Sequence, residues 1–176
     1  MGQDLDELFD VVDDRDHVIG RASRGTVHAQ GLRHRAVHVF VQNAAAEVFL
    51  HLRSLEKDTF PGKWNSSCAG HVESGHDYDQ TVLRELEEEL GFRPTQPPQR
   101  LLKLDAGAET GAEFVWVYRA AGEGPFSLNP REIQRGGWFT VSAIDRWTAQ
   151  RPEEFASSFV FLWPQVRPHL TSAGTP

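Results

Sequence analysis

Apolar and polar residues alternate from Arg35 to Val41, with Val37, Val39 and Val41 on one face. That period of two predicts a strand. After a turn at Asn43-Ala44-Ala45-Ala46-Glu47, Val48, Leu50 and Leu52 continue the buried face, while His51 and Arg53 share the other. Glu7 to Asp13 and His17 to Ala22 read as two strands around an Asp14-Arg15-Asp16 turn. Further strands are predicted near Arg100 to Asp105, from Glu113 to Arg119 and from Gly136 to Thr140. In the Glu113 strand, Phe114, Trp116 and Tyr118 share the face opposite Glu113. Residues 54–68 and 122–131 carry the Gly and Pro signals of loops. Val141 to Trp147 and Glu154 to Leu170 read as helices, the second broken by Pro164. Short strands flanked by helices predict an α/β/α sandwich with a mixed sheet.

One helix carries the chemistry. Asp77 is a natural N-cap with Gln80 three residues on, and Gly91 can take the left-handed C-terminal position. Pro94 stops any continuation. At about 100° per residue, Val82, Leu83, Leu86 and Leu90 form an apolar arc, and Glu85, Glu88 and Glu89 form another. Glu87 points to water, and Arg84 is one turn before Glu88, placed to pair with it. Glu85 and Glu89 repel each other at this spacing unless a cation lies between them. Carboxylate oxygens suit Mg²⁺ or Mn²⁺. A solvated acidic face is the competing reading.

Composition narrows the partners. The 176 residues fit one domain, 1–176, with five Trp and eleven Phe for its core. The net charge of −7 argues against a nucleic-acid duplex, though not against a nucleotide. A single Cys suits a reducing cytoplasm. No apolar run is long enough for a membrane span, and the acidic start Met1 to Asp6 is unlike a signal peptide. A small-molecule substrate is expected, and a homodimer is compatible with everything above.

The segment Gly70-His71-Val72-Glu73-Ser74-Gly75-His76-Asp77, then Arg84-Glu85-Leu86-Glu87-Glu88-Glu89-Leu90-Gly91-Phe92, resembles the Nudix box, G-x5-E-x7-R-E-U-x-E-E-x-G-U. Gly70, Arg84, Glu85, Leu86, Glu88, Glu89, Gly91 and Phe92 fall in register, while His76 stands where the first box glutamate is expected. The resemblance implies a Nudix-type sandwich. It also implies a metal site at Glu85, Glu88, Glu89 and Gly70, with Arg84 orienting it.

Arg53 to Trp64, then Ser66-Ser67-Cys68-Ala69-Gly70-His71, is similar to the isopentenyl-diphosphate-isomerase-like branch of that superfamily. The resemblance implies that Arg53 and Lys57 grip a diphosphate, that His28, His34 and His71 match the isomerase metal histidines, and that Glu113 is an acidic ligand and catalytic residue. From the residues alone, the three histidines lack compact ligand spacing and read as surface or satisfied histidines. Glu113 stands equally as general base or as strand-start carboxylate, with Glu109, Glu132 and Asp105 as competitors.

The isomerase likeness fails where Ala69 replaces the catalytic cysteine and Gly111 replaces a second acid. Cys68, one residue away, turns to the opposite strand face and reads as a small core residue. The expected activity is therefore hydrolysis of a diphosphate linked to a nucleoside or similar group, with Mg²⁺ or Mn²⁺ and with Glu89 or Glu113 as general base. An isomerase and a weakened nucleotide-binding domain are the alternatives.

Overall fold

The computed structural model describes residues 5–170, so the first four residues of the acidic start lie outside the described part. The N-terminal hairpin is β1 (Leu8–Val12) and β2 (Val18–Ser23), paired antiparallel. A seven-stranded sheet follows in the order β5-β4-β3-β8-β7, with β6 also on β3 and β9 on β4. Its strands are β3 (His34–Gln42), β4 (Val48–Arg53), β5 (Trp64–Asn65), β6 (Cys68–His71), β7 (Gln99–Leu104), β8 (Glu113–Ala121) and β9 (Ile133–Phe139). The β3–β8 pair is parallel and the other pairs are antiparallel. The sheet is therefore mixed, as predicted.

Alternation along β3 sends its two faces into two cores. Val37, Val39 and Val41 meet Val82, Leu86 and Leu90 of α2 (Tyr78–Leu90) on one side. Ala36 and Phe40 meet α3 (Val141–Gln150) and α4 (Ser157–Val166) on the other, through Ile144, Phe159, Leu162, Trp163 and Val166. The α/β/α layering expected from the sequence is what the chain adopts.

Three local expectations need correction. A seven-residue helix, α1 (Arg24–Gln30), follows β2 and carries His28. The alternation pattern did not predict it, but Ser23 caps it by accepting from the Thr26 N–H. The C-terminal segment is not one helix broken at Pro164: a 3₁₀ turn at Pro152–Glu154 precedes α4, which runs through Pro164. The flanking side chains Phe159, Leu162, Trp163 and Val166 are all buried, and that burial offsets the one backbone hydrogen bond the proline forfeits. Leu83 is 48 % exposed and does not belong to the core face of α2.

The reason lies in the acids. The capping box Asp77/Gln80 and the left-handed Gly91 are present as expected, so the phase of the helix is fixed. Glu89 then falls about 20° from Val82 on the helical wheel. The buried arc extends from the leucines over Glu85 and Glu89, leaving Leu83 outside. The two glutamates thus form one edge of the core face rather than a separate polar face.

Candidate active site

β6 and β4 both leave the same edge of β3. β6 pairs with Ala36 to Val39, whereas β4 touches β3 only at Gln42. The sheet opens between them into a cavity of about 570 Å³. The acidic edge of α2, the β6 turn, the end of β4 and the start of α4 all line it.

The first group of polar residues comes from α2. Gly70 faces Glu85 so closely that a Cβ there would overlap the carboxylate. Arg84 gathers the acids around it. Its Nη1 donates to Glu88 Oε2 at 2.8 Å and lies 3.3 Å from Glu73 Oε1. Its Nη2 lies 2.9 Å from Glu85 Oε1 and donates to the His71 carbonyl at 3.1 Å. The Arg84–Glu88 pairing read from the sequence is present. His76 is exposed and lies 3.8 Å from Glu73, so the carboxylate next to Arg84 comes from Glu73 instead.

Glu85 and Glu89 are buried, whereas the Glu88 side chain is 55 % exposed. Glu87 faces solvent, paired with Arg93. Burial pushes the Glu85 carboxyl up; Arg84 works against this and Glu88 with it. Burial also raises Glu89, reinforced by the charges of Glu85 and Glu132 and opposed by Lys57 and Arg53. Glu89 Oε2 is buried with no hydrogen-bond partner among the described residues. Paired, desolvated carboxylates with an unmet oxygen are the donor set that a hard cation fits.

Arg53 and Lys57 both line the cavity. They are not loop charges in water. Arg53 ends β4, is buried, and donates to the Thr59 carbonyl from Nε at 3.0 Å and Nη2 at 2.8 Å. Lys57 is paired with Glu132. These two cations lie across the cavity from the α2 acids.

A second group forms where β3, β6 and β8 meet. The register aligns His34 with Glu113 and Ala36 with both His71 and Val115, so His34, His71 and Glu113 share one sheet face. His28 arrives from α1. One donor atom from each of the four lies within 4.8 Å of the others. The reading of surface or satisfied histidines holds for His28, which is exposed, and for His71, whose two ring nitrogens both have partners, but not for the buried His34; the compact grouping is the one the isomerase resemblance implies.

His71 Nε2 donates to Glu113 Oε1 at 2.9 Å. His34 commits its Nδ1 proton to the Leu32 carbonyl at 2.9 Å. Its Nε2 is buried 3.5 Å from Glu113 Oε1 without an aligned hydrogen bond. An imidazole anchored through one nitrogen and open at the other is the usual posture of a metal ligand. Burial works against charge on Glu113, but the neighbouring His34 and His71 outweigh it, and its carboxyl stays well below the usual range. Burial, with the neighbouring His71 and His34, pushes His28 down to about 4. Three imidazoles and a carboxylate suit a transition-metal ion better than Mg²⁺.

Among the competitors for the base, Glu109 and Glu132 also line the cavity and Asp105 does not. Cys68 is fully buried in the α2-side core, and Ala69 faces the cavity in its place. Sequence reading missed Arg24, whose Nη1 lies 3.2 Å from His71 Nδ1, and it missed Glu73, His38 and Asn65. Only Glu73 carried a signal, being an acid inside the Gly70–Asp77 segment.

The chain has relatives. A family model described as the NUDIX domain matches residues 32–159. A protein of Nostoc sp. named as an uncharacterized Nudix hydrolase is 45% identical over 149 residues, which are 84% of this chain and 88% of that one. An isopentenyl-diphosphate Delta-isomerase of Serratia proteamaculans is 30% identical over 161 residues, 90% of each chain. A crystal structure of a Deinococcus radiodurans protein superposes with a TM-score of 0.80 at 28% identity, covering 90% of this chain and 98% of that one.

Proposed function

This chain belongs to the Nudix family, and on that footing we propose that it hydrolyses a diphosphate joined to a nucleoside or similar group, using Mg²⁺ or Mn²⁺. The observation that carries this reading is the buried Glu85–Glu89 pair with its unpartnered Glu89 oxygen, facing Arg53 and Lys57 in one cavity. Glu85, Glu88 and Glu89 would hold the cation, with Gly70 giving Glu85 its room. Such a cation neutralises phosphate charge and makes water a stronger acid. Arg53 and Lys57 hold phosphate oxygens through charge-assisted bonds, so Lys57 exchanges Glu132 for substrate. Arg84 fixes Glu85 and Glu88. Glu89 is the proton acceptor: desolvation makes it more basic than an exposed carboxylate. Glu113, kept ionised by His34 and His71, serves as ligand in the second group rather than as base.

The test is phosphate release from a panel of nucleoside di- and triphosphates, nucleotide sugars, coenzyme A and dinucleotides with Mn²⁺. Turnover that EDTA abolishes and Mg²⁺ or Mn²⁺ restores is the expected result. Calorimetry showing no divalent-ion binding at millimolar metal, with or without nucleotide, overturns it. The lone buried Cys68 supports a reducing compartment as part of the same proposal. Among the described residues, no helix is long and apolar enough to cross a membrane.

A second reading, an allylic diphosphate isomerase, is favoured by the His28/His34/His71/Glu113 group and by the isomerase relatives. Against it, moving a double bond needs an acid and a base on opposite faces of the carbon frame, and Ala69, which lines the cavity, stands at the position where the isomerase resemblance expects the cysteine. Dimethylallyl diphosphate formed from isopentenyl diphosphate above a no-enzyme control would decide for it.

A further inference from the structure

The geometry points to His38 as the residue that selects the non-phosphate end of the substrate: its Nε2 accepts a hydrogen bond from a hydroxyl or N–H, which makes hydroxylated diphosphates the substrate class and excludes alkyl ones. This rests on the hydrolase reading and sharpens it.

The direction of the bond follows from proton counting. Ser66 has one hydroxyl proton and donates it to the Cys68 carbonyl at 3.1 Å. Ser66 Oγ is also 2.8 Å from His38 Nδ1. The proton in that second contact must come from the imidazole, so Nδ1 carries it and Nε2 holds a lone pair. Nothing among the described residues bonds to Nε2. Burial keeps the ring neutral, opposed by Glu113 and aided by Arg53 and His71, with a pKa pushed down to about 4.

His38 is 8 % exposed, shares a sheet face with Ala36 and Phe40, and lines both the main cavity and a small pocket opening beneath it. Glu109, Thr110, Glu113 and Ser158 line both cavities with it, while Leu104, Val115, Phe161 and Leu162 complete the wall of the small pocket. Asn65 Oδ1 accepts the Ser66 N–H at 2.9 Å, which leaves its NH₂ without a partner among the described residues. Ser157 and Ser158 open α4 without capping it. An unmet acceptor in a cavity that also holds unmet donors complements a hydroxyl, which is both. An alkyl group at the same place strands them all.

The experiment compares UDP with isopentenyl diphosphate, which share a diphosphate and differ in hydroxyl groups. The full chain is used with Mn²⁺; binding is read by calorimetry and turnover by phosphate release. Wild type is expected to prefer UDP. His38→Phe keeps the ring and removes the acceptor. Its UDP affinity should fall and its KM rise roughly 10²-fold while kcat stays within about twofold and isopentenyl diphosphate is unaffected. His38→Gln, with an amide oxygen, should recover part of the loss. Ser66→Ala, which frees the ring to carry its proton on Nε2, should shift UDP in the same direction as His38→Phe. A wild type that prefers isopentenyl diphosphate or binds neither compound overturns the inference. So do folded His38 and Ser66 variants with an unchanged UDP preference. Loss of UDP binding in His38→Phe when wild type releases no phosphate would sink the hydrolase reading and leave this one standing. Turnover that ignores His38 would do the reverse.

Discussion

Glu73 Oε1 lies 3.3 Å from Arg84 Nη1, while His76, three residues on, reaches only Glu73. With His76 at the position where the box pattern expects a carboxylate, the acid beside Arg84 is Glu73. Glu73→Gln should lower Mn²⁺ affinity and turnover by roughly 10-fold, the usual cost of losing a group that orients ligands. His76→Glu should alter either by no more than about twofold, because Glu73 already stands against Arg84 Nη1. A Mn²⁺ titration of phosphate release checks both. A large gain in His76→Glu would show that Glu73 does not fill the role.

Glu89→Gln should cost at least about 10²-fold in kcat, and Glu85→Gln a comparable loss of metal affinity. Glu88, half in solvent and bonded to Arg84, should cost less than either. Glu87→Gln is the control, since Glu87 is adjacent but paired outward with Arg93. Steady-state kinetics and metal titration separate the four. Equal losses at all four positions would mean that the acids act only as a diffuse field.

Much of this helix was legible because its signals are local. Asp77, Gln80 and Gly91 sit within one helix and fix its ends and phase. What was not legible is which arc becomes buried. That depends on Gly70, a residue of another element, admitting Glu85 into the interior. The histidine group was implied by the isomerase resemblance but not by residue spacing, for the same reason in stronger form. His34 meets Glu113 through parallel register and His71 through antiparallel register, and neither pairing leaves a mark in sequence spacing. His28 was named through the resemblance, but the helix α1 that carries it was missed, since its few apolar residues, Val27 and Ala29 among them, give no usable periodicity.

Gly70→Ala should move Glu85 off its place, since a Cβ there meets the carboxylate and the flanking strand cannot yield easily. We expect roughly 10-fold weaker metal binding and about 1–3 kcal/mol of lost stability from overpacking. Metal titration and thermal unfolding of the same sample report both. Unchanged metal affinity would detach Glu85 from the site.

Asp16 anchors the hairpin tip to the body of the fold. It accepts from Arg35 Nε at 2.6 Å, Tyr78 Oη at 2.8 Å and Lys103 Nζ at 2.5 Å. Burial opposes its charge, but those bonds prevail and its carboxyl lies below the ordinary 3.8. A depressed folded value means that its stabilisation is complete above pH 3.8 and is lost as pH falls through the lower folded value. Asp16→Asn keeps a residue that tolerates the positive φ of 65°. It should destabilise by about 1–3 kcal/mol at neutral pH. The deficit should hold flat down to pH 3.8 and shrink below it. Urea unfolding at stepped pH reads the effect, and a deficit growing with acid would contradict it.

The in-register β3–β8 pairing also has a consequence in time. His34 and Glu113 are neighbours in the sheet but roughly eighty residues apart along the chain, and pairings that distant form slowly. A ribosome that has not yet reached Glu113 has already released all three histidines, so for that interval imidazoles are present without the acid that completes them. A cation meeting the nascent chain then finds loose, partial ligation. The finished group exists only once β8 has docked on β3, so any metal binding there would report that pairing rather than aid early folding.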